Sequence, residues 1–306
     1  VLSERDFESL NCRFLVQSSG ETMKTSTRCR PLRTLTQLAI ILALTGCVGS
    51  PANQPSRTAV GKTALSPVEP VNARAILTRM ARRLAGSPAY SVNLHSSYDV
   101  MQPTGQKIEF IETREVTLKR PNYLRIEVEE SNGEQHLVYY DGRTLTAYSP
   151  SQNVYAQTAK SGGIDQAVIY FLKDLNMRLP LAMLLLSRFP EEIEKHTLDL
   201  DYVEWANIDG IPTHHLAGRT DAVDYQVWVA AGADPTPVRI VLTYRTAEGQ
   251  PEFRAQFSDW DFSLQNLDEK FIFQPPEGAR KIGFQAEMPQ VSPMMTGKTQ
   301  STGEQP

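Results

Sequence analysis

Leu179-Pro180-Leu181-Ala182-Met183-Leu184-Leu185-Leu186-Ser187-Arg188-Phe189 is the stretch on which the fold turns. Read as a helix over 179–189, it is apolar almost all round. Such a helix must be covered on every side, by protein or by a bound apolar ligand. Just before it, 164–175 sets Ala167, Val168, Phe171, Leu172 and Leu175 at helical spacing. Farther out in both directions the apolar period changes to two. Strands are predicted near 90–101, 107–118, 122–130, 135–140, 143–148 and 152–157 on one side. On the other they are predicted near 199–208, 213–219, 224–230, 237–246 and 251–261. Asn132-Gly133, Asp141-Gly142, Asp209-Gly210 and Glu248-Gly249 supply turns between them, as does 150–153.

Ahead of the first strand, Asn72 can cap a helix running to Gly86, with Ile76, Leu77, Met80, Ala81 and Leu84 on one face. The expected class is therefore α+β, with about eleven antiparallel strands and helices inserted. Some strands are apolar on both faces. In 224–230, Tyr225, Val227 and Val229 point one way while Trp228 and Ala230 point the other.

The ends of the 306-residue chain read differently. Met23 opens a basic stretch with Lys24, Arg28, Arg30 and Arg33, followed by an apolar run from Leu38 to Leu44. This is the pattern of an export signal over 23–46, and the run is too short to span a bilayer, which takes ~20 residues. Residues 1–22 fit neither export nor folding and are read as a mistaken upstream start. Residues 47–70 are rich in Gly, Ser, Pro, Thr and Gln and read as a flexible tether, spanning roughly 25 Å on random-coil scaling. The segment 285–306 has a similar composition and is expected to be disordered, leaving 71–284 as the folded domain.

Of the three cysteines, Cys12, Cys29 and Cys47, none follows position 47, so the exported part has no disulfide framework and no thiolate metal site. The whole chain carries net −4. Residues 1–46 hold six Lys/Arg and four Asp/Glu, so the part from Cys47 onward has 25 basic and 31 acidic residues, net −6. With no concentrated basic patch, nucleic-acid binding is not expected.

Catalytic signatures are missing: there is no G-x-S-x-G, no H-E-x-x-H and no G-x-G-x-x-G. Gly61-Lys62-Thr63 imitates the end of a P-loop, but Ser56 stands where the first glycine belongs. His214 and His215 are adjacent on a strand, so they face opposite ways and cannot readily chelate one metal. Asp259 and Asp261 flank Trp260 on one face and read as a solvated strand surface. His95, His136 and His196 are scattered. No catalytic residue, metal or cofactor is nominated.

Two resemblances add to this reading. Leu44-Thr45-Gly46-Cys47 resembles the bacterial lipobox, which implies cleavage before Cys47 and acylation of that cysteine, typically with palmitate. Two or three acyl chains hold a protein firmly on a membrane, where one does not. Val48 stands where Asp would direct inner-membrane retention, so the enteric sorting rule implies the outer membrane, with the domain facing the periplasm.

The second resemblance covers about 72–284. It rests on Lys119-Arg120-Pro121 with Tyr123-Leu124-Arg125, on Tyr139-Tyr140-Asp141-Gly142-Arg143-Thr144-Leu145, and on Leu179-Pro180-Leu181-Ala182. Gly210-Ile211-Pro212-Thr213-His214-His215-Leu216, Asp224-Tyr225-Gln226-Val227-Trp228-Val229 and Phe271-Ile272-Phe273-Gln274-Pro275-Pro276 carry it further. These elements resemble an uncharacterised family of predicted periplasmic proteins, domain of unknown function 2092, with Tyr225 replacing an expected Trp.

That family resembles the superfamily of the carriers LolA and LolB, the lipoprotein LppX and the stress regulator RseB. The resemblance implies a curved, roughly eleven-stranded antiparallel half-barrel, with helices on the concave side and an apolar cavity between. It supplies no catalytic residues.

Two roles for 181–186 stay open: filling the core, or lining a cavity for an acyl chain. The leading expectation is a monomeric, non-enzymatic lipoprotein that binds a lipid or the acyl chains of a lipoprotein. Its candidate cavity residues are Leu181, Met183, Leu184, Leu185, Phe189, Phe171 and Trp228. The alternative is a periplasmic interaction or regulatory module that docks a partner on its sheet.

Overall fold

Asn72 sets the first element: its side chain accepts a hydrogen bond from Ala75 N at 3.0 Å and caps helix α1 (Ala73–Gly86). Ile76, Leu77, Met80, Ala81 and Leu84 are buried along one face, and Arg79 and Arg82 lie exposed on the other. The computed structural model describes residues 71–284, apart from 176, 178, 266 and 267. The expectations for 1–22, for the export signal, for Cys47 and its tether, and for 285–306 concern positions outside the described residues.

Six strands follow α1: β1 (Ala89–Met101), β2 (Lys107–Lys119), β3 (Tyr123–Glu130), β4 (Gln135–Tyr140), β5 (Thr144–Ser149) and β6 (Val154–Ala159). After the helical interruption come β7 (Asp199–Ile208), β8 (Ile211–Arg219), β9 (Val223–Ala230), β10 (Pro237–Tyr244) and β11 (Glu252–Asp261). All eleven lie in one curved antiparallel sheet, in the order β6-β5-β4-β3-β2-β1-β11-β10-β9-β8-β7. Pairing of β1 with β11 joins the two runs. The Asp209-Gly210 turn between β7 and β8 has φ +49° and +86°, the two left-handed residues of a tight hairpin whose twist matches its strands.

A twelfth strand was not predicted. β12 (Arg280–Ile282) pairs parallel with β6 at the sheet edge. Three mostly polar residues carry no readable period. What brings them there is Phe273, whose ring lies 5.1–5.4 Å from those of Tyr139, Tyr148 and Tyr155 on the outer face.

One face of the sheet carries the core. β9 alternates buried and half-buried residues along its whole length, with Val223, Tyr225, Val227 and Val229 inward. Helices α1, α2 (Ile164–Lys173) and α3 (Phe189–His196) contribute Leu77, Met80, Val168, Phe171, Phe189 and Ile193 to that core.

The deciding stretch corrects the expectation of a helix over 179–189. Only Ala182–Leu185 is helical, as a single 3-10 turn. Pro180 biases its predecessor away from the helical region, and Leu181 sits at φ +60°, which no right-handed helix can continue. The burial logic still holds, because all eight residues of 179–186 are buried. We call this segment the plug. Immediately after it, α3 begins with Phe189, Pro190, Glu191 and Glu192 and ends with Lys195 and His196, the charge order that suits a helix dipole. Phe189, the last residue of the predicted helix, is the first residue of α3.

Candidate functional site

The plug lies between two apolar cavities on the inner face. The first has a volume of about 60 Å³ and is walled by α1, α3, β9, β10 and the plug. Leu77, Tyr225, Val227 and Ile240 meet Leu181, Met183, Leu184 and Phe189 there. The second, about 30 Å³, lies on the side of β1 and β2, where Tyr90, Val116 and Phe257 face Leu181, Leu184 and Leu185. Leu181 and Leu184 wall both, so two plug side chains separate the cavities.

Of the residues proposed from sequence, Leu181, Met183, Leu184, Leu185 and Phe189 therefore come together around these spaces. Phe171 is buried in α2 and lines neither of them. Trp228 departs from the expectation: it lies on the outer face, stacked on His215 with ring centroids 4.0 Å apart and with Arg239 over it at 5.7 Å. The physical reason is strand alternation, since Tyr225, Val227 and Val229 already occupy the inward positions of β9.

Three polar residues absent from the candidates proposed from sequence hold the plug and its walls. Arg120 Nη2 donates to the carbonyl of Leu185 at 3.0 Å and to that of Leu84 in α1 at 3.4 Å. Tyr90 donates to the carbonyl of Leu184 at 3.4 Å, and burial pushes its hydroxyl up to about 12, against the pull of Arg120. Tyr225 shares a hydrogen bond with Thr197 at 2.8 Å; burial pushes it also up to about 12, partly offset by that bond. Its ring lies over Gly218, where a Cβ would fall 2.2 Å from a ring carbon, so only glycine leaves room for this cavity wall.

A fourth such residue is charged. Arg114 of β2 pairs with Leu94 of β1 and Val128 of β3 and points inward with them. It lines the second cavity and is only 8% exposed. Its signal was available: Glu112 and Arg114 stand in phase with Val116 and Leu118, at positions where β2 should be apolar.

His214 and His215 do face opposite sides. His214 makes an edge contact with Trp205, ring centroids 4.9 Å apart, while burial and the nearby Arg79 hold it below the usual histidine range. Asp259 accepts from Asn93, and Asp261 accepts from the Ser263 backbone and hydroxyl. These hydrogen bonds hold both carboxyls below the usual carboxylate range. Among the described residues, no helix is long and apolar enough to cross a membrane.

With the geometry described, comparison with known proteins places the chain. A family model described as predicted periplasmic protein (DUF2092) matches residues 73–285. The chain belongs to that family. The DUF2092 match takes in the sheet, the plug and both cavities. The sequence matches no curated protein.

Solved structures similar to this DUF2092 protein include the lipoprotein LppX of Mycobacterium tuberculosis, at 14% identity and TM-score 0.39, covering 63% of this chain and 97% of LppX. A LolA superfamily protein of Nitrosomonas europaea is 15% identical with TM-score 0.33, covering 67% of this chain and 99% of its own. MucB in its complex with MucA from Pseudomonas aeruginosa is 16% identical with TM-score 0.37, covering 66% of this chain and 61% of its own.

Proposed function

We propose that this protein is a non-enzymatic envelope lipoprotein, anchored through acylated Cys47 to the outer membrane and facing the periplasm as a monomer. It takes an acyl chain, of a lipid or of a lipoprotein, between its sheet and its plug. The observation that carries this reading is the plug itself, an apolar segment with an apolar cavity on either side and two side chains separating them.

Cavities of about 60 and 30 Å³ are smaller than small-molecule pockets, which run from ~300 Å³ upward. Binding therefore requires Leu181 and Leu184 to withdraw, joining the two spaces. An acyl chain replaces the apolar contacts that those side chains give up, each Å² taken from water contributing ~25 cal/mol. The backbone of the plug favours such a movement: it is one 3-10 turn with no long helix to unwind.

The test is lipid mass spectrometry on the chain from position 47 onward, produced without residues 1–46 and carrying Cys47→Ser, so that neither an acyl anchor nor the apolar run 38–44 contributes lipid. Acyl lipid at one per protein supports the reading. A stable, folded protein that copurifies with no lipid and takes none up from vesicles overturns it.

A second reading, a regulatory module that docks a partner, draws on a different feature. β7 is an edge strand, and Leu198, Val203, Trp205 and Ile211 lie exposed at or beside it. An unpaired edge with apolar side chains admits strand addition. This reading predicts that Val203→Lys abolishes capture of an envelope protein while leaving lipid content unchanged.

A further inference from the structure

Arg114 is a charged residue on an otherwise apolar wall, and its surroundings are specific. Nη2 donates to Glu112 Oε1 at 2.5 Å, and Ser96 donates to the same oxygen at 3.3 Å. Both members of the pair are buried, with side chains 6% and 7% exposed. Yet Arg114 Nε is buried with no hydrogen-bond partner among the described residues. A buried N–H without an acceptor is destabilising, and such groups in native proteins call for an explanation. Arg114 lines the second cavity, beside Leu94, Val116, Leu181 and Leu184.

We infer that Arg114 Nε–H is a hydrogen-bonding site for an uncharged carbonyl oxygen, such as that of an acyl ester or amide, on a ligand whose chain occupies the joined cavities. This rests on the acyl-chain reading above and narrows it. The choice of a neutral acceptor follows from charge. Glu112 already neutralises Arg114 at contact distance. Glu130 stands directly across from Glu112 on β3, itself 3.5 Å from His136, and Glu134 is 4.0 Å from the same histidine nitrogen. A free carboxylate entering beside Arg114 brings a further negative charge to a cation already paired with Glu112, and Arg120, the other arginine near this cavity, spends its Nη2 on the Leu84 and Leu185 carbonyls. An ester carbonyl asks for one donor and no countercharge. Arg114 offers that.

The experiment uses the chain from position 47 onward, without residues 1–46 and with Cys47→Ser, and displacement of the fluorescent probe N-phenyl-1-naphthylamine by two ligands of equal chain length, 1-monolauroylglycerol and laurate, at pH 7.5. The expected result is half-displacement by the ester at about tenfold lower concentration, the worth of one desolvated hydrogen bond. Arg114→Met should reduce that preference to less than about twofold. Glu112→Gln keeps the shape of the pair and leaves Arg114 an unpaired cation, so it should reverse the preference towards laurate. Both variants are checked for folding by circular dichroism, and the Glu112→Gln reversal serves as the test even where Arg114→Met does not fold.

Equal displacement by both ligands, or a preference for laurate in the parent chain, overturns the Arg114 site and leaves the acyl-chain reading standing. So does a Glu112→Gln chain that keeps the ester preference unchanged. Probe that binds but yields to neither ligand overturns both.

Discussion

Helix α1 and the plug both press apolar side chains onto the inner face, but they are held by different means. α1 spans fourteen residues, satisfies its backbone internally, starts from a side-chain cap and buries a single stripe. The plug buries eight consecutive residues, yet its own backbone offers mainly i+3 bonds, such as Leu184 N to Leu181 O at 2.9 Å and Leu186 N to Met183 O at 3.2 Å. Arg120 and Tyr90 bind its carbonyls from outside. The hydrogen bonds of the helix are its own, whereas two carbonyls of the plug are held by donors from outside it. Under the acyl-chain function proposed above, this difference makes α1 a wall and the plug the part that a ligand would displace.

The largest expected effect tests the wall. Leu84 is fully buried in α1, and Leu84→Ala should lower unfolding free energy by about 2–5 kcal/mol in urea titration. A loss below about 1 kcal/mol would mean that the site collapses freely and α1 is no fixed wall.

Arg120→Met sharpens the contrast from the other side. It leaves the Leu185 carbonyl without its donor, and on the order of 1–3 kcal/mol of stability should go with it. The more telling readout is hydrogen exchange. The amides of Leu184 and Leu186 should exchange faster, while those in the middle of α1 keep their protection. If the two segments speed up together, the plug is no separate unit.

The smallest effect concerns pH and lies on the α1 side. His214 has a folded pKa below its ordinary value, from burial first and Arg79 second. The unfolded chain therefore binds the proton more readily. His214 contributes stability that is fully present above ~6.5 and declines as pH falls from there through the folded value. His214→Asn should flatten that part of the pH–stability curve, and Arg79→Gln should shift it to higher pH. A curve unchanged by His214→Asn would sever α1 from this histidine.

Much of the architecture was legible because local chemistry and tertiary structure agree. Alternating strands, Asn-Gly and Asp-Gly turns and the Asn72 cap are short-range patterns, and each strand from β1 to β11 falls within a few residues of its predicted span. The resemblance to DUF2092 rested on the same local elements and is met by the family match over 73–285.

By itself, then, the sequence determined the eleven alternating strands, the capped first helix and the requirement that 179–186 be covered on every side. Apolar character and period are properties of neighbouring residues, so they can be read without coordinates. Pro180 is a local signal against a helix starting at 179, but only tertiary structure decided that 182–185 is a single 3-10 turn with Leu181 left-handed before it. Only tertiary structure placed Arg120 under the Leu185 carbonyl, 65 residues away along the chain, and buried the Arg114–Glu112 pair beside the second cavity. The worth of a hydrogen bond or a charge is set by what surrounds it, and in this protein those surroundings come from strands and a plug far apart in sequence.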